Sequence, residues 1–143
     1  MKQRITNAFA RAKDEGRGAF VAYLTMGFPS LAESEKAADD IVADGADILE
    51  LGVPFSDPFA DGGVIRSAAY EALRQGVSLD DVLALAGRLR TRHPETGIVL
   101  FSYYNPIFSF IIWVCPPDTV RHRNGNCGTG VGLSGSWAKS AST

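Results

Sequence analysis

The chain has 143 residues, 45% of them hydrophobic, and a formal net charge of −2, which suits one folded domain with a real core and argues against disorder. Its 14 Lys and Arg are scattered among 16 Asp and Glu, so no basic stripe points to nucleic acid. No apolar run reaches the roughly 20 residues of a membrane span, and Met1 to Asn7 lacks the apolar core of a secretion signal, so a cytoplasmic location is the default expectation.

Ile5, Phe9 and Ala12 fall on one stripe and predict a leading helix over Ile5 to Glu15, with Gly16 near its end. Gly18 to Thr25 reads as a first strand, and Met26-Gly27-Phe28-Pro29 as the turn after it. Ser30 and Glu33 have the spacing of a capping box before a helix carrying Leu31, Ala38, Ile41 and Val42 and stopping near Gly45. Ala46 to Val53 reads as the second strand, and the loop from Pro54 is too rich in Pro, Asp and Gly to continue it. Val64, Ile65, Ala68, Ala69, Ala72 and Leu73 then have helical spacing up to Gly76. Ser78 caps a helix bearing Leu79, Val82, Leu83, Ala86 and Leu89, with Arg88, Arg90 and Arg92 toward its negative C-terminal end. Ile98 to Tyr103 gives a third strand, ended by Tyr103-Tyr104-Asn105-Pro106. Alternation of this kind predicts βα units on a parallel sheet.

The second strand and its loop carry the chemistry. Alternation puts Leu49, Leu51 and Val53 on one face, free to pack under helices, and Ile48, Glu50 and Gly52 on the other. A carboxylate left on that face either finds partners or has its pKa raised by desolvation, and a raised value suits proton transfer. Asp61, on the loop that follows, can fold back over the mouth of the sheet. Unequal surroundings would then separate the two pKa values and assign one carboxyl to proton transfer and the other to charge stabilisation. The alternative stays open that Glu50 is a structural carboxylate and Asp61 a turn former.

Leu49-Glu50-Leu51-Gly52-Val53-Pro54-Phe55-Ser56-Asp57-Pro58, then Ala60-Asp61-Gly62, Val64-Ile65 and Tyr103-Tyr104-Asn105-Pro106, closely resembles the tryptophan synthase alpha-subunit family. Ala19-Phe20-Val21, Thr25-Met26-Gly27 and Gly45-Ala46-Asp47 resemble it in the same order. The resemblance implies a (β/α)8 TIM barrel with its site at the carboxyl ends of the strands. It implies cleavage of indole-3-glycerol phosphate to indole and glyceraldehyde 3-phosphate, with no metal or organic cofactor. Glu50 would shuttle protons at the indole C3 and glycerol hydroxyl, and Asp61 would stabilise positive charge at the indole N–H. Tyr23 and Phe101 match positions lining the indole pocket, and Tyr103 a tyrosine near the carboxylates; barrel packing is an equal reading for Phe101. Pro54 and Asp57 fall on a loop that in the family faces the beta subunit, which uses pyridoxal phosphate, although Asp57 equally reads as a turn residue.

Phe59 stands where the family usually has leucine, Tyr23 where it has phenylalanine, Gly63 where it has proline and Arg66 where it has glutamine. The resemblance lapses after Phe108. A full barrel takes about 250 residues, so the expected architecture is a partial barrel: an N-terminal helix and about three βα units over residues 1–107, then a divergent, irregular tail over 108–143. The family's phosphate grip, from loops after strands 7 and 8, is not expected here. A non-catalytic barrel fragment acting as an interaction module is the alternative function. The tail is expected to be translated out of frame or across a deletion, which sequencing the locus would test. Within it, Gly130-Val131-Gly132-Leu133-Ser134-Gly135 fits G-x-G-x-x-G but lacks the flanking strand and helix of a dinucleotide site. Cys115, His122 and Cys127 fit no common zinc spacing, and the two cysteines imply no disulfide framework.

Overall fold

The computed structural model describes residues 2–114, 120–121 and 127–128, with side chains described over 3–110. The chain forms two compact units, Met1–Pro106 and Ile107–Thr143. The first holds α1 (Lys2–Asp14), β1 (Val21–Thr25), α2 (Leu31–Ala43), β2 (Ile48–Gly52), α3 (Gly63–Arg74), α4 (Leu79–Arg92) and β3 (Gly97–Phe101). Helix α5 (Tyr104–Val114) crosses the boundary, and the second unit adds the short antiparallel pair β4 (Val120–Arg121) and β5 (Cys127–Gly128).

The three long strands form a parallel sheet in the order β1-β2-β3. Register runs from Val21↔Ile48↔Gly97 at one end to Thr25↔Gly52↔Phe101 at the other. Because side chains alternate, Ala22, Leu24, Leu49, Leu51, Ile98 and Leu100 share one face. That face packs against Leu31, Ala38, Ile41 and Val42 of α2, Ala72 of α3, and Val82, Leu85 and Leu89 of α4, forming the core. Leu49, Leu51, Leu85 and Leu89 are fully buried. The opposite face presents Tyr23, Thr25, Glu50, Gly52, Val99 and Phe101, and its aromatic members keep partial exposure.

Local chemistry explains where the elements begin and end. Ser78 and Asp81 form a reciprocal capping box at α4: the Asp81 amide donates to Ser78 Oγ at 3.3 Å and the Ser78 amide to Asp81 Oδ2 at 2.9 Å. At α2 only half of the expected box forms. The Glu33 amide donates to Ser30 Oγ at 3.2 Å, but the Glu33 carboxylate takes the Ser30 hydroxyl proton at 2.7 Å instead of the Ser30 amide. Gly27, after β1, has φ +90°, and a Cβ there would lie 2.7 Å from Val77 Cγ2, so only glycine fits this turn. Its amide donates to Ser34 Oγ at 3.0 Å.

Asp47, at the amino end of β2, is 1% exposed and bound by four donors. Arg17 reaches it with Nη1 at 2.6 Å and Nη2 at 3.0 Å, Arg11 with Nη2 at 2.7 Å, and the Phe20 amide at 2.9 Å. The Arg17 hydrogen bonds dominate and hold this carboxyl far below the ordinary range against the opposing effect of burial. Helix α1 and the segment after it are thereby tied to the start of β2. Ion pairs of Glu35 with Arg88 and Arg92 and of Asp39 with Arg92 join α2 to α4, and His93 Nε2 hydrogen-bonds Asp39 Oδ1 at 2.6 Å.

Several side chains depart from the sequence expectation. Phe9 is 52% exposed, and Ala8 and Ala12 form the buried stripe of α1 in its place. Val64 and Leu83 are also exposed, since α3 and α4 bury only the narrow stripes that meet the sheet. The apolar run from Phe108 does not begin an irregular segment. It continues a helix through Val114, and Pro106 fits in the first turn, where amides lack helical partners anyway. Cys115, His122 and the Gly130–Gly135 motif lie outside the described residues, and of Cys127 only the backbone in β5 is described.

Candidate active site

Strand β2 delivers Glu50 onto the face opposite the core, paired in register with Tyr23 of β1 and Val99 of β3. Glu50 is half-buried, and among the described residues its carboxylate has no hydrogen-bond partner. Two positions further on, Gly52 pairs with Thr25 and Phe101. The ring of Tyr23 leans over Gly52: a Cβ there would lie 2.6 Å from Tyr23 Cζ and 2.9 Å from Cε2. Gly52 is therefore the condition for Tyr23 to lie where it does, a requirement visible only once two strands are paired.

Tyr23 is half-buried and accepts a 3.4 Å hydrogen bond from Thr25 Oγ1. Its ring meets Phe101 edge-on, with centroids 5.7 Å apart and planes at 86°. Burial raises the phenol pKa above its ordinary value, the Thr25 bond opposes this, and Asp61, Tyr103 and Glu50 each add to the rise. The field of both carboxylates thus falls on one phenol, which stays a protonated donor at neutral pH. Phe101 is 50% exposed, its ring forming a wall of this face.

The loop between β2 and α3 carries Asp61. It leaves the strand through Pro54, which is buried, and turns at Asp57, which is exposed and accepts a 2.7 Å bond from Ser56 Oγ. Backbone bonds from Phe59 to the Asp57 carbonyl at 2.9 Å and from Asp61 to the Pro58 carbonyl at 3.2 Å tighten it. Tyr103, just past β3, reaches across: its hydroxyl oxygen accepts from the Ala60 amide at 3.0 Å. The Tyr103 ring also contacts Phe55 at 5.1 Å and Phe59 at 5.4 Å between centroids. Phe55, Phe59, Thr25 and Gly52 were not candidates from sequence. Only the turn composition around them hinted that the loop was shaped.

A shallow cleft of about 920 Å³ lies between this loop and α3, lined by Phe55, Ser56, Pro58, Arg66, Tyr70 and Arg74 among others. None of Glu50, Asp61, Tyr23 and Phe101 lines it. The chemistry-bearing side chains belong to the open face of the sheet and the loop above it, and the cleft belongs to the outer flank of that loop.

Parallel βα units with α2, α3 and α4 packed on one face of the sheet, and Glu50, Tyr23 and Phe101 on the other, define the class of (β/α)8 barrels, of which the described residues hold a sheet of three parallel strands. A family model described as tryptophan synthase alpha chain matches residues 9–112. The tryptophan synthase alpha chain of Zymomonas mobilis is 45% identical over 104 residues, covering 73% of this chain and 38% of the relative. That of Aquifex aeolicus is 44% identical over 105 residues, covering 73% and 40%. The crystal structure of tryptophan synthase subunit alpha from Legionella pneumophila superposes with a TM-score of 0.72 at 36% identity, over 75% of this chain and 41% of that one. The chain belongs to the tryptophan synthase alpha chain family. It spans about 40% of the length of the curated relatives it matches.

Proposed function

We propose that this chain carries the proton-handling part of an alpha-type lyase site of tryptophan biosynthesis, which cleaves indole-3-glycerol phosphate to indole and glyceraldehyde 3-phosphate. The observation that carries it is Glu50, paired in register with Tyr23 on the face opposite the core, with Asp61 on the loop that follows the same strand. Cleavage needs a proton at the indole C3, so that the ring carbon becomes tetrahedral, and loss of a proton from the glycerol hydroxyl beside the breaking bond. As that hydroxyl becomes the aldehyde, the electrons of the C–C bond return to the ring. Glu50 handles both protons, and Asp61 as an anion stabilises the positive charge that develops at the indole N–H. Tyr23 and Phe101 form one wall for the ring. None of these steps calls on a metal or organic cofactor.

A beta subunit is the proposed partner, and a cytoplasmic location goes with that role. The loop through Asp57 is the proposed contact. Its buried Pro54 shapes the turn, while Asp57 and the exposed Phe59 offer surface. Exposure of Phe59, Val64 and Tyr70 on this flank favours a second reading, an interaction module without catalysis.

The test exchanges residues 9–106 of this chain into the Aquifex aeolicus relative and measures indole-3-glycerol phosphate cleavage with and without a beta subunit. Turnover is expected, and Glu50→Gln or Asp61→Asn should each lower it at least about 100-fold. Turnover indifferent to Glu50→Gln would sink the lyase reading and leave the interaction module. The 143-residue chain assayed alone should show no measurable turnover, because the match over residues 9–112 does not include the loops after strands 7 and 8 that grip phosphate in such barrels.

A further inference from the structure

We infer that Tyr103 is a positioning residue, a clasp that holds the β2–α3 loop and so fixes where Asp61 stands; this rests on the lyase reading for its purpose, though not for its geometry. The loop from Pro54 to Gly62 has few internal restraints, and the two backbone bonds that tighten it close short turns without anchoring it to the sheet. The side-chain bond that anchors it is long-range, from the Ala60 amide to the hydroxyl oxygen of Tyr103 at 3.0 Å, across 43 positions of sequence. Ala60 immediately precedes Asp61, so this bond fixes the peptide from which the carboxylate springs.

The ring of Tyr103 strengthens the hold. Phe55 at the start of the loop and Phe59 near its middle both pack on it, with centroids 5.1 and 5.4 Å away. Phe59 is 89% exposed, an unfavourable placement for a phenylalanine, and contact with Tyr103 gives that ring a use. The hydroxyl oxygen is committed to a backbone amide, which distinguishes this role from that of a substrate contact. Among the described residues nothing accepts its proton, which can donate into the site.

The test uses the full 143-residue chain. Tyr103→Phe keeps both ring contacts and removes only the acceptor. Hydrogen exchange of the Ala60 amide should rise about fivefold, the effect of losing one neutral hydrogen bond, while Leu49 and Leu51 in β2 stay protected. The carbon-13 carboxyl signal of Asp61 should shift in the same variant with the Asp47 signal unmoved, a signature that general loosening would not produce. Phe59→Leu should raise exchange less, through the ring contact alone. Unchanged Ala60 exchange and an unmoved Asp61 signal in Tyr103→Phe would overturn the clasp, whatever the lyase assay gives. Raised exchange with no turnover in any cleavage assay would instead leave the clasp standing and fail the lyase reading.

Discussion

Strand β2 has one carboxylate just before it and one at its centre, in opposite circumstances. Asp47, at its amino end, is buried and held by two arginines and a backbone amide. Glu50, on the face opposite the core, is half-buried, and no described residue bonds to its carboxylate. The two acidic groups are thus divided: Asp47 ties helix α1 to the start of the sheet, and Glu50 is left without a hydrogen-bond partner among the described residues, as the proposed proton carrier requires. This is the division of labour expected of barrel strands, with stability at one end and reaction at the other.

The two carboxylates should therefore fail in different ways. The largest effect is expected at Glu50. In the exchanged protein, Glu50→Gln should cost at least about 100-fold in turnover, with unfolding free energy changed by less than about 0.5 kcal/mol. Asp47→Ala should do the reverse, costing about 2 to 3 kcal/mol by chemical denaturation with little direct effect on chemistry. The cost stays modest because Arg11 and Arg17 are 47% and 40% exposed and can rehydrate when their partner is gone. A stable Asp47→Ala variant, or a destabilised Glu50→Gln variant, would break the comparison.

Gly52→Ala probes the carboxyl end of β2, because its new Cβ must push the Tyr23 ring aside. A loss of about 1 to 3 kcal/mol is expected, with Tyr23 fluorescence altered in the folded state. Acid sharpens the contrast further. The hydrogen bonds of Arg17 hold Asp47 far below its ordinary value. Glu35 is lowered to about 2, chiefly by Arg88, with burial opposing and Arg92 assisting. Both values lie below those of the unfolded chain, so their stabilisation is complete above about pH 4.5 and is lost as the pH falls toward the folded values. Urea midpoints should hold steady down to about pH 5 and then fall, and Asp47→Ala should flatten that fall. The smallest effect is expected at Ser78→Ala, about 1 kcal/mol from loss of the α4 cap, with neither carboxylate disturbed.

Much of this was legible in the sequence because it rests on local rules. Period-2 alternation in Leu49, Leu51 and Val53 and helical spacing in Ala68, Ala69 and Ala72 placed the elements that make the core. The departures have equally local causes. Phe9 satisfies the helical period of α1, but the buried stripe needed residues as small as Ala8 and Ala12. The run from Phe108 has no polar face to report its period, so a helix there could not be told from a strand. Ser30 and Glu33 had the spacing of a reciprocal box, yet the Glu33 carboxylate accepts only from the Ser30 hydroxyl, whereas the shorter Asp81 accepts from both the hydroxyl and the amide of Ser78.

The sequence by itself determined the order of strands and helices, the faces of β2, and the presence of Glu50 within that strand and Asp61 on the loop after it, since each depends on residues near one another in the chain. Pairing decided the rest. Tyr23 lies over Gly52 and edge-on to Phe101 because three parallel strands share a register. Tyr103 reaches Ala60 across 43 positions, and Asp47 collects donors from Arg11, Arg17 and Phe20. Such contacts have no signature in local spacing, because the energy that selects them arises only after the sheet has brought distant segments together.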